Sequence, residues 1–261
     1  MTNKDLAGQH AVVTGGARGI GAAIATALAS HGANVTIMDI DGEGAEKQAA
    51  TLAEAGGGKA DWRYIDVSDP AAIDAAFDGL DAKLGACSIL VNNAGIALSA
   101  PFSKTDLKFW ARMLDIDLTG AFLCIRKALP GMKEANFGRI VNIVSTAGLK
   151  GYPYVTAYCA AKHGLIGLTR ALALETAKTG ITVNSVCPGY ADTDIVRGAV
   201  ANIVSKTGLS EEAALAQLTS HNPQGRLIQP DEIANAVIWL CQPDSGSVTG
   251  QSILVAGGEI M

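Results

Sequence analysis

Short β-branched, apolar runs alternate with longer Ala-rich segments of helical period along most of the chain, and this alternation constrains the fold more than any other feature. Candidate strands occupy residues 10–14, 34–39, 61–66, 88–92, 139–145, 182–187 and 252–255. Helical patterns at 21–31, 42–55 and 70–84 separate the early ones. Strands alternating with helices imply βαβ units and a parallel sheet. The strands are nearly continuous apolar runs, as in Ile140-Val141-Asn142-Ile143-Val144, the pattern of strands covered by helices on both faces. The expectation is one α/β domain over residues 1–261: a doubly wound, seven-stranded parallel sheet in three αβα layers. The rhythm breaks once, from Pro188 to Arg226, where two short helical patterns intervene. That insertion lies beyond a strand's carboxyl end, where open α/β sheets bind ligands, so 188–226 is the candidate substrate-covering lid.

Composition narrows the function classes. About half of the 261 residues are hydrophobic and 17% are charged, which argues against disorder. A net charge of −5, with Lys and Arg scattered, offers no basic patch for nucleic acid. The opening residues Met1 to Leu6 hold no apolar run of signal-peptide length, and no stretch approaches the roughly 18–20 apolar residues of a bilayer span. Cys87, Cys124, Cys159, Cys187 and Cys241 are widely spaced and form neither a CxxC pair nor a metal-ligand cluster with His. Reduced cysteines packed as small hydrophobes, in a cytoplasmic protein without a metal, are expected.

The first strand runs into a glycine-rich turn, Thr14-Gly15-Gly16-Ala17-Arg18-Gly19-Ile20-Gly21. Gly15, Gly19 and Gly21 follow a GxxxGxG spacing, looser than the GxGxxG fingerprint. The physics is shared: glycines permit a tight turn and close backbone approach to a pyrophosphate at a helix N-terminus. The second strand ends in Asp39, whose carboxylate suits the adenosine ribose hydroxyls and repels a 2′-phosphate. Ile40 after it brings no countering charge. The cofactor expected is therefore NAD, with Arg18 pulling toward NADP because an arginine there can pair with a 2′-phosphate. Asp66, at the end of the third strand and followed by Val67, suits either the adenine amino group or a helix cap ahead of Pro70. Asn92, Asn93, Ala94 and Gly95 follow the fourth strand, where small residues and amides let backbone lie against the cofactor.

Tyr158 and Lys162 stand four residues apart in a helix-favouring stretch, which places them on one face. A neighbouring ammonium favours the phenolate, which equips Tyr158 as base in alcohol oxidation or acid in ketone reduction. Ser145, thirteen residues earlier at the close of the fifth strand, supplies a hydroxyl to polarise a carbonyl. Taken together these features resemble the short-chain dehydrogenase/reductase family nearly from end to end. Its TGxxxGxG is similar to Thr14 to Gly21, its NNAG to Asn92 to Gly95, its Ser–Tyr–Lys set to Ser145, Tyr158 and Lys162, and its PGxxxT to Pro188, Gly189 and Thr193. The resemblance implies a Rossmann fold, a role for Thr193 at the nicotinamide carboxamide, and assembly as homodimers or homotetramers. The apolar faces of 109–132 and 158–177 offer an interface, or simply cover the sheet.

Two departures from the family pattern stand out. An Asn is common 28 residues before the catalytic Ser, holding a water in the proton relay; here that residue is Asp117. Ionised, it would pair with Lys162 and weaken the lysine's effect on Tyr158; buried and protonated, it would not. The other is Ala256-Gly257-Gly258, where Asp-Gly-Gly is usual, and its meaning is structural.

By the same resemblance, the substrate pocket draws on Ile96, Ala97, Leu98, Ala147, Leu149, Tyr152, Tyr190, Ile195 and Val196. This mostly apolar lining, with two aromatic hydroxyls, suits an uncharged or partly apolar group rather than a sugar. Relatives that oxidise free 3-hydroxybutyrate hold its carboxylate with a His and a Lys two and ten residues after the Ser. Ala147 and Val155 occupy those positions here, which demotes that substrate. A 3-hydroxyacyl thioester remains, its carrier phosphates met by Lys150, Arg197 and Lys206, as does a ring alcohol. The alternatives are an NADPH-dependent 3-ketoacyl thioester reductase and a non-catalytic dinucleotide sensor, although a sensor would not need both Tyr158 and Lys162.

Overall fold

The computed structural model describes residues 5–260; the first four residues of the opening segment lie outside that range. The strands are β1 (His10–Thr14), β2 (Asn34–Asp39), β3 (Ala60–Tyr64), β4 (Ile89–Asn92), β5 (Gly138–Ile143), β6 (Ile181–Pro188) and β7 (Ser252–Val255). They form one parallel sheet in the order β3-β2-β1-β4-β5-β6-β7. The expected seven-stranded doubly wound sheet is present. Its order reverses between β1 and β4, which opens a crevice at their carboxyl ends.

The helices are α1 (Gly19–Ser30), α2 (Gly42–Glu54), α3 (Pro70–Phe77), α4 (Asp81–Leu84), α5 (Leu107–Leu114), α6 (Gly120–Glu134), α7 (Thr156–Thr176), α8 (Asp194–Thr207), α9 (Glu211–Thr219) and α10 (Pro230–Cys241). Side chains alternate across each strand, so one sheet feeds two cores. Ala11, Val13, Ile37, Val91 and Val141 pack with Ile24 and Leu28 of α1, Leu52 of α2 and Val237 of α10. Val12, Met38, Leu90 and Ile140 pack on the other face with Ile73 of α3, Ile125 of α6 and Leu172 of α7. This two-sided burial explains the unbroken apolar strands.

Several boundaries differ from the sequence expectation. The helix read over 70–84 is two helices, because Gly79 adopts φ 60° and Asp78 is extended, which no helix continues through. β3 ends at Tyr64 and β5 at Ile143, each two residues early. Asp66 and Ser145 therefore stand in the turns beyond their strands rather than closing them.

A π-helical turn at Asp115–Thr119 interrupts the α5–α6 run. Such turns concentrate at functional sites. Segment 188–226 carries α8 and α9, and a parallel bridge between Ala191 and Ile228, outside the seven strands, closes it at its base. Cys87, Cys124, Cys187 and Cys241 are buried free thiols, and Cys159 is half-buried and free. Among the described residues, no helix is long and apolar enough to cross a membrane.

Candidate active site

The crevice between β1 and β4 is built from loops that tolerate only small residues. Gly15 has φ 64°, and a Cβ there would lie 2.8 Å from the Ala94 Cα. A Cβ on Gly21 would meet the Gly15 carbonyl oxygen at 2.0 Å. Asn93 cements the two loops: its Nδ2 donates to the carbonyls of Thr14 (3.1 Å) and Gly15 (2.9 Å). The Thr14 hydroxyl accepts from the Asn93 and Ala94 amides, both at 3.1 Å. Asn93 and Ala94 thus shape the crevice, a part that spacing alone does not distinguish from cofactor contact.

At the start of α1 no side chain caps the helix, so its first amides stay available to an anion. Gly19 (φ 56°) lies against Thr193, to whose Cγ2 a Cβ would stand 3.4 Å away. Thr193 is itself the N-cap of α8 and likewise makes no side-chain capping bond. The glycine loop, with Ile20 packed partly into the core behind it, and Thr193 therefore meet at the start of α1. Pro188 ends β6, and the Gly189 amide then donates to the Val255 carbonyl at 3.1 Å. At the rim, the Asp39 carboxylate accepts from the Ala17 amide (3.0 Å) and the Asp41 amide (3.0 Å), which locks it beside the loop. Arg18 and Ile40 are exposed next to it. This carboxylate beside an uncapped helix and Cβ-free turns fits a dinucleotide.

Asp66 is not the cap of the helix that follows it. Its Oδ1 accepts from the Ser68 amide (2.9 Å) and hydroxyl (2.6 Å) in a turn, while Asp69 is the residue that caps α3, accepting from Ala71. Val67 is buried, and its carbonyl presses on α6 where Gly120 leaves room, 2.7 Å from a notional Cβ.

The chemistry gathers at α7. Lys162 is buried and donates to the Ile143 carbonyl at 3.2 Å. Its Nζ stands 3.2 Å from Asp117 Oδ1 and 5.5 Å from the Tyr158 ring centroid. The one-face expectation for Tyr158 and Lys162 is met. Asp117 also accepts from the Ile96 amide at 3.3 Å, and a Cβ on Gly95 would stand 2.5 Å from its Oδ1. Gly95 is thus what lets the π-helical turn approach the crevice.

Burial acts first on all three groups. It raises the Asp117 carboxyl above its ordinary range, with Lys162 and the Ile96 amide opposing. Burial pushes the Lys162 ammonium down, yet Asp117 and Tyr158 outweigh it and hold the lysine above its ordinary value. The Tyr158 phenol is raised by burial and by Asp117, against Lys162 and the Ser145 hydroxyl, which lower it. The net direction is opposite to the one Lys162 alone implies. Ser145 lies at the mouth of the fifth strand, its hydroxyl accepting from the Ala147 amide at 3.1 Å.

What holds α7 in register is a buried polar chain that the strand pattern gave no reason to single out. Asn92 Nδ2 donates to Asn142 Oδ1 (2.8 Å), and Asn142 Nδ2 donates to Thr169 Oγ1 (2.9 Å). It ties β4, β5 and α7 across the sheet's face, and the polar residues inside apolar runs were its only sequence signal.

On the substrate side, Tyr152 and Tyr190 are partly buried, and Leu149 sits at the end of a short helical turn beside Ser145. Ala147 and Val196 are buried rather than facing an opening. Two of the three cations expected to meet carrier phosphates are already paired: Lys150 with Glu259 (3.1 Å), and Arg197 with Asp192 (2.9 Å) and Asp194 (3.1 Å). Sequence reading missed Glu259 altogether, since a polar residue near a chain's end carries no pattern.

Comparison with known proteins agrees with this geometry. Residues 15–259 match a family described as Enoyl-(Acyl carrier protein) reductase. The cis-4-hydroxycyclohexanecarboxylate dehydrogenase of Sinomonas cyclohexanicum is 42% identical over 95% of each chain. The D-beta-hydroxybutyrate dehydrogenase of Cupriavidus necator is 38% identical over 98% of this chain and 99% of its own. A crystal structure of a variant actinorhodin polyketide ketoreductase with NADPH superposes with a TM-score of 0.92, at 37% identity over 99% of both chains. The glycine-lined crevice, the Ser145–Tyr158–Lys162 grouping and these end-to-end similarities lead to one conclusion: the chain belongs to the short-chain dehydrogenase/reductase family, as an alcohol/ketone oxidoreductase that binds a nicotinamide dinucleotide.

Proposed function

We propose that the chain is an NAD-dependent dehydrogenase that interconverts a secondary alcohol and a ketone, with a ring alcohol or a 3-hydroxyacyl thioester as substrate. The observation that carries this reading is the convergence of Ser145, Tyr158 and Lys162 on the mouth of a crevice whose far rim holds Asp39. The pyrophosphate would rest at the α1 N-terminus against Gly15, Arg18, Gly19, Ile20 and Gly21, and the adenosine ribose at Asp39. Asp66 and Val67 would flank the adenine, Asn93 to Gly95 the crevice floor, and Pro188, Gly189 and Thr193 the nicotinamide end.

The bound nicotinamide supplies the acceptor for the electron pair that leaves the carbinol carbon with its hydrogen. Tyr158, as phenolate, takes the hydroxyl proton as the C–O bond becomes a carbonyl, and returns it in the reverse direction. Ser145 holds the same oxygen from the other side, matching charge as it develops. Lys162 offsets the cost that burial places on the Tyr158 phenolate, and Asp117 holds Lys162 charged.

NAD is favoured because the Asp39 carboxylate is locked at the loop while Ile40 brings no cation. One observation favours the second reading, an NADPH-dependent 3-ketoacyl thioester reductase: Arg18 is exposed beside Asp39. The four buried free thiols suit the reducing cytoplasm. Exposed Leu107, Phe122 and Leu174 on α5, α6 and α7 suit a homodimer or homotetramer interface. An NADH-fluorescence screen of cyclic alcohols and 3-hydroxyacyl-CoAs tests the function. Turnover with NAD that is lost in Tyr158→Phe supports it; turnover that survives the substitution refutes the mechanism.

A further inference from the structure

Ser145 and Tyr158, the two residues that would share the substrate oxygen, stand at the two ends of one loop. A short helical turn at Thr146–Gly148 opens it, and α7 begins beyond it at Thr156 with no side chain capping its start. The loop packs directly on that helix. A Cβ on Gly148 would stand 2.9 Å from the Lys162 carbonyl oxygen, and the Cys159 thiol meets the Lys150 carbonyl at 4.0 Å. Whatever fixes the middle of this loop bears on both reacting groups at once.

Glu259 reaches the loop from beyond β7. Its side chain is 1% exposed. Oε1 accepts from the Tyr152 hydroxyl, and the Lys150 ammonium lies 3.1 Å from the same oxygen. Lys150 Nζ also stands 4.8 Å from the centroid of the Tyr152 ring, so acid, cation and ring close on one another. The Tyr152 oxygen lies 2.7 Å from the hydroxyl of Thr146, the residue joined to Ser145. A phenol has one proton. With that proton given to Glu259, the threonine is the donor at the second contact, and Tyr152 is a strut with no proton left for a substrate.

Neither carboxylate oxygen is open to a ligand. Oε2 is sealed against the backbone at Gly189, 3.0 Å from where a Cβ would stand, with no hydrogen-bond partner among the described residues. A buried acceptor left unfilled is destabilising, and an apolar side chain would avoid that cost. What only the polar side chain supplies is a fixed point for Tyr152 and Lys150. That point is itself held. The Glu259 amide donates to the Ala256 carbonyl at 3.1 Å, and Asn222 at the base of the lid crowds Gly257, its Oδ1 2.0 Å from a notional Cβ.

We propose that Glu259 is a positioning residue: through Tyr152 and Lys150 it holds the loop so that Ser145 and Tyr158, at its two ends, converge on one substrate oxygen. The inference rests on the functional reading above and needs no contact between Glu259 and the substrate.

The intact chain, Glu259→Leu, Tyr152→Phe and the double variant test it, assayed with NAD and whichever of cyclohexanol and 3-hydroxybutyryl-CoA the intact chain oxidises. Each single substitution should lower kcat by roughly 10–100-fold, the effect of a small misplacement of reacting groups. KM for the alcohol and for NAD should stay within about threefold, because no binding contact is removed. The double variant should lie within about threefold of the slower single one, since both substitutions cut the same strut. Glu259→Gln, which keeps an acceptor for the Tyr152 hydroxyl, should recover most of the kcat that the leucine loses. Tyr152→Phe carries the test if the leucine variant does not fold. Losses that multiply in the double variant, a loss carried by KM, or a Tyr152→Phe enzyme with the parent kcat overturn the inference while the dehydrogenase reading stands. A readout without substrate is amide exchange at Gly148, Leu149 and Lys150, which bond back to Ser145 and Thr146. It should quicken at least tenfold in Tyr152→Phe, and unchanged exchange also overturns the inference alone. Failure of every alcohol and thioester with either dinucleotide instead overturns the functional reading, and this inference with it.

Discussion

Lys162 and Asp117 form a buried ion pair, Nζ to Oδ1 3.2 Å, beneath the phenol that would move the proton. The pair links two opposing effects on Tyr158: the lysine lowers its pKa and the aspartate raises it. Asp117→Asn removes the second effect and keeps the first so long as Lys162 stays charged. The Tyr158 pKa should then fall, and the rising limb of kcat/KM for alcohol oxidation should move to lower pH by on the order of 0.5–1 unit. Loss of the carboxylate also lets burial lower Lys162, so the shift is bounded from above. A pH–rate profile measured from pH 6 to 10 checks this. An unmoved limb would show that Asp117 has no hold on the proton transfer.

Tyr158→Phe keeps the ring that packs at the start of α7 and deletes only the hydroxyl. Turnover should drop by about 10²–10⁴-fold, the usual worth of a positioned acid–base group. Circular dichroism should remain that of the parent. Residual activity within tenfold of the parent would shift the proton transfer to another group.

The sheet was legible because two-sided burial writes itself into unbroken apolar strands, and the glycine loop because Gly15 and Gly21 leave no room for a Cβ. Tyr158, Lys162 and Ser145 were legible through spacing on one helix and one strand end. Asp117 was visible as a residue, but not the π-helical turn that delivers it, whose approach to the crevice depends on the missing Cβ of Gly95, 22 residues away along the chain. The Asn92–Asn142–Thr169 chain and Glu259 went unread for the same reason. Their partners lie 27 to 109 residues away along the chain, and no local period records such pairings.

Cofactor choice turns on Asp39 and its neighbour Arg18. The carboxylate is held by two backbone amides and does not swing away from an incoming 2′-phosphate. Asp39→Ser should therefore raise the ratio of kcat/KM for NADP over NAD by roughly 10–100-fold, or about 1.4–2.8 kcal/mol. Adding Arg18→Ala should take back part of that gain, because the guanidinium is the phosphate's remaining partner. If Arg18→Ala alone leaves NADP use untouched in the Asp39→Ser background, the arginine has no part in cofactor choice.

The chain from Asn92 through Asn142 to Thr169 is the structural support on which the site depends, because it joins the strand before the crevice to the helix that carries Tyr158 and Lys162. Asn142→Leu leaves the Asn92 amide without its acceptor in a buried place, at a cost of about 1–3 kcal/mol. In a chain of this size that corresponds to a fall in Tm of roughly 2–10 °C. Thr169→Val on its own strands the other amide hydrogen of Asn142 and should cost a similar amount. The double variant Asn142→Leu/Thr169→Val removes both ends of that bond, so its loss should be smaller than the sum of the two single losses. Thermal denaturation of the four proteins measures the coupling, and strict additivity would mean that the bond does not hold α7 against the sheet.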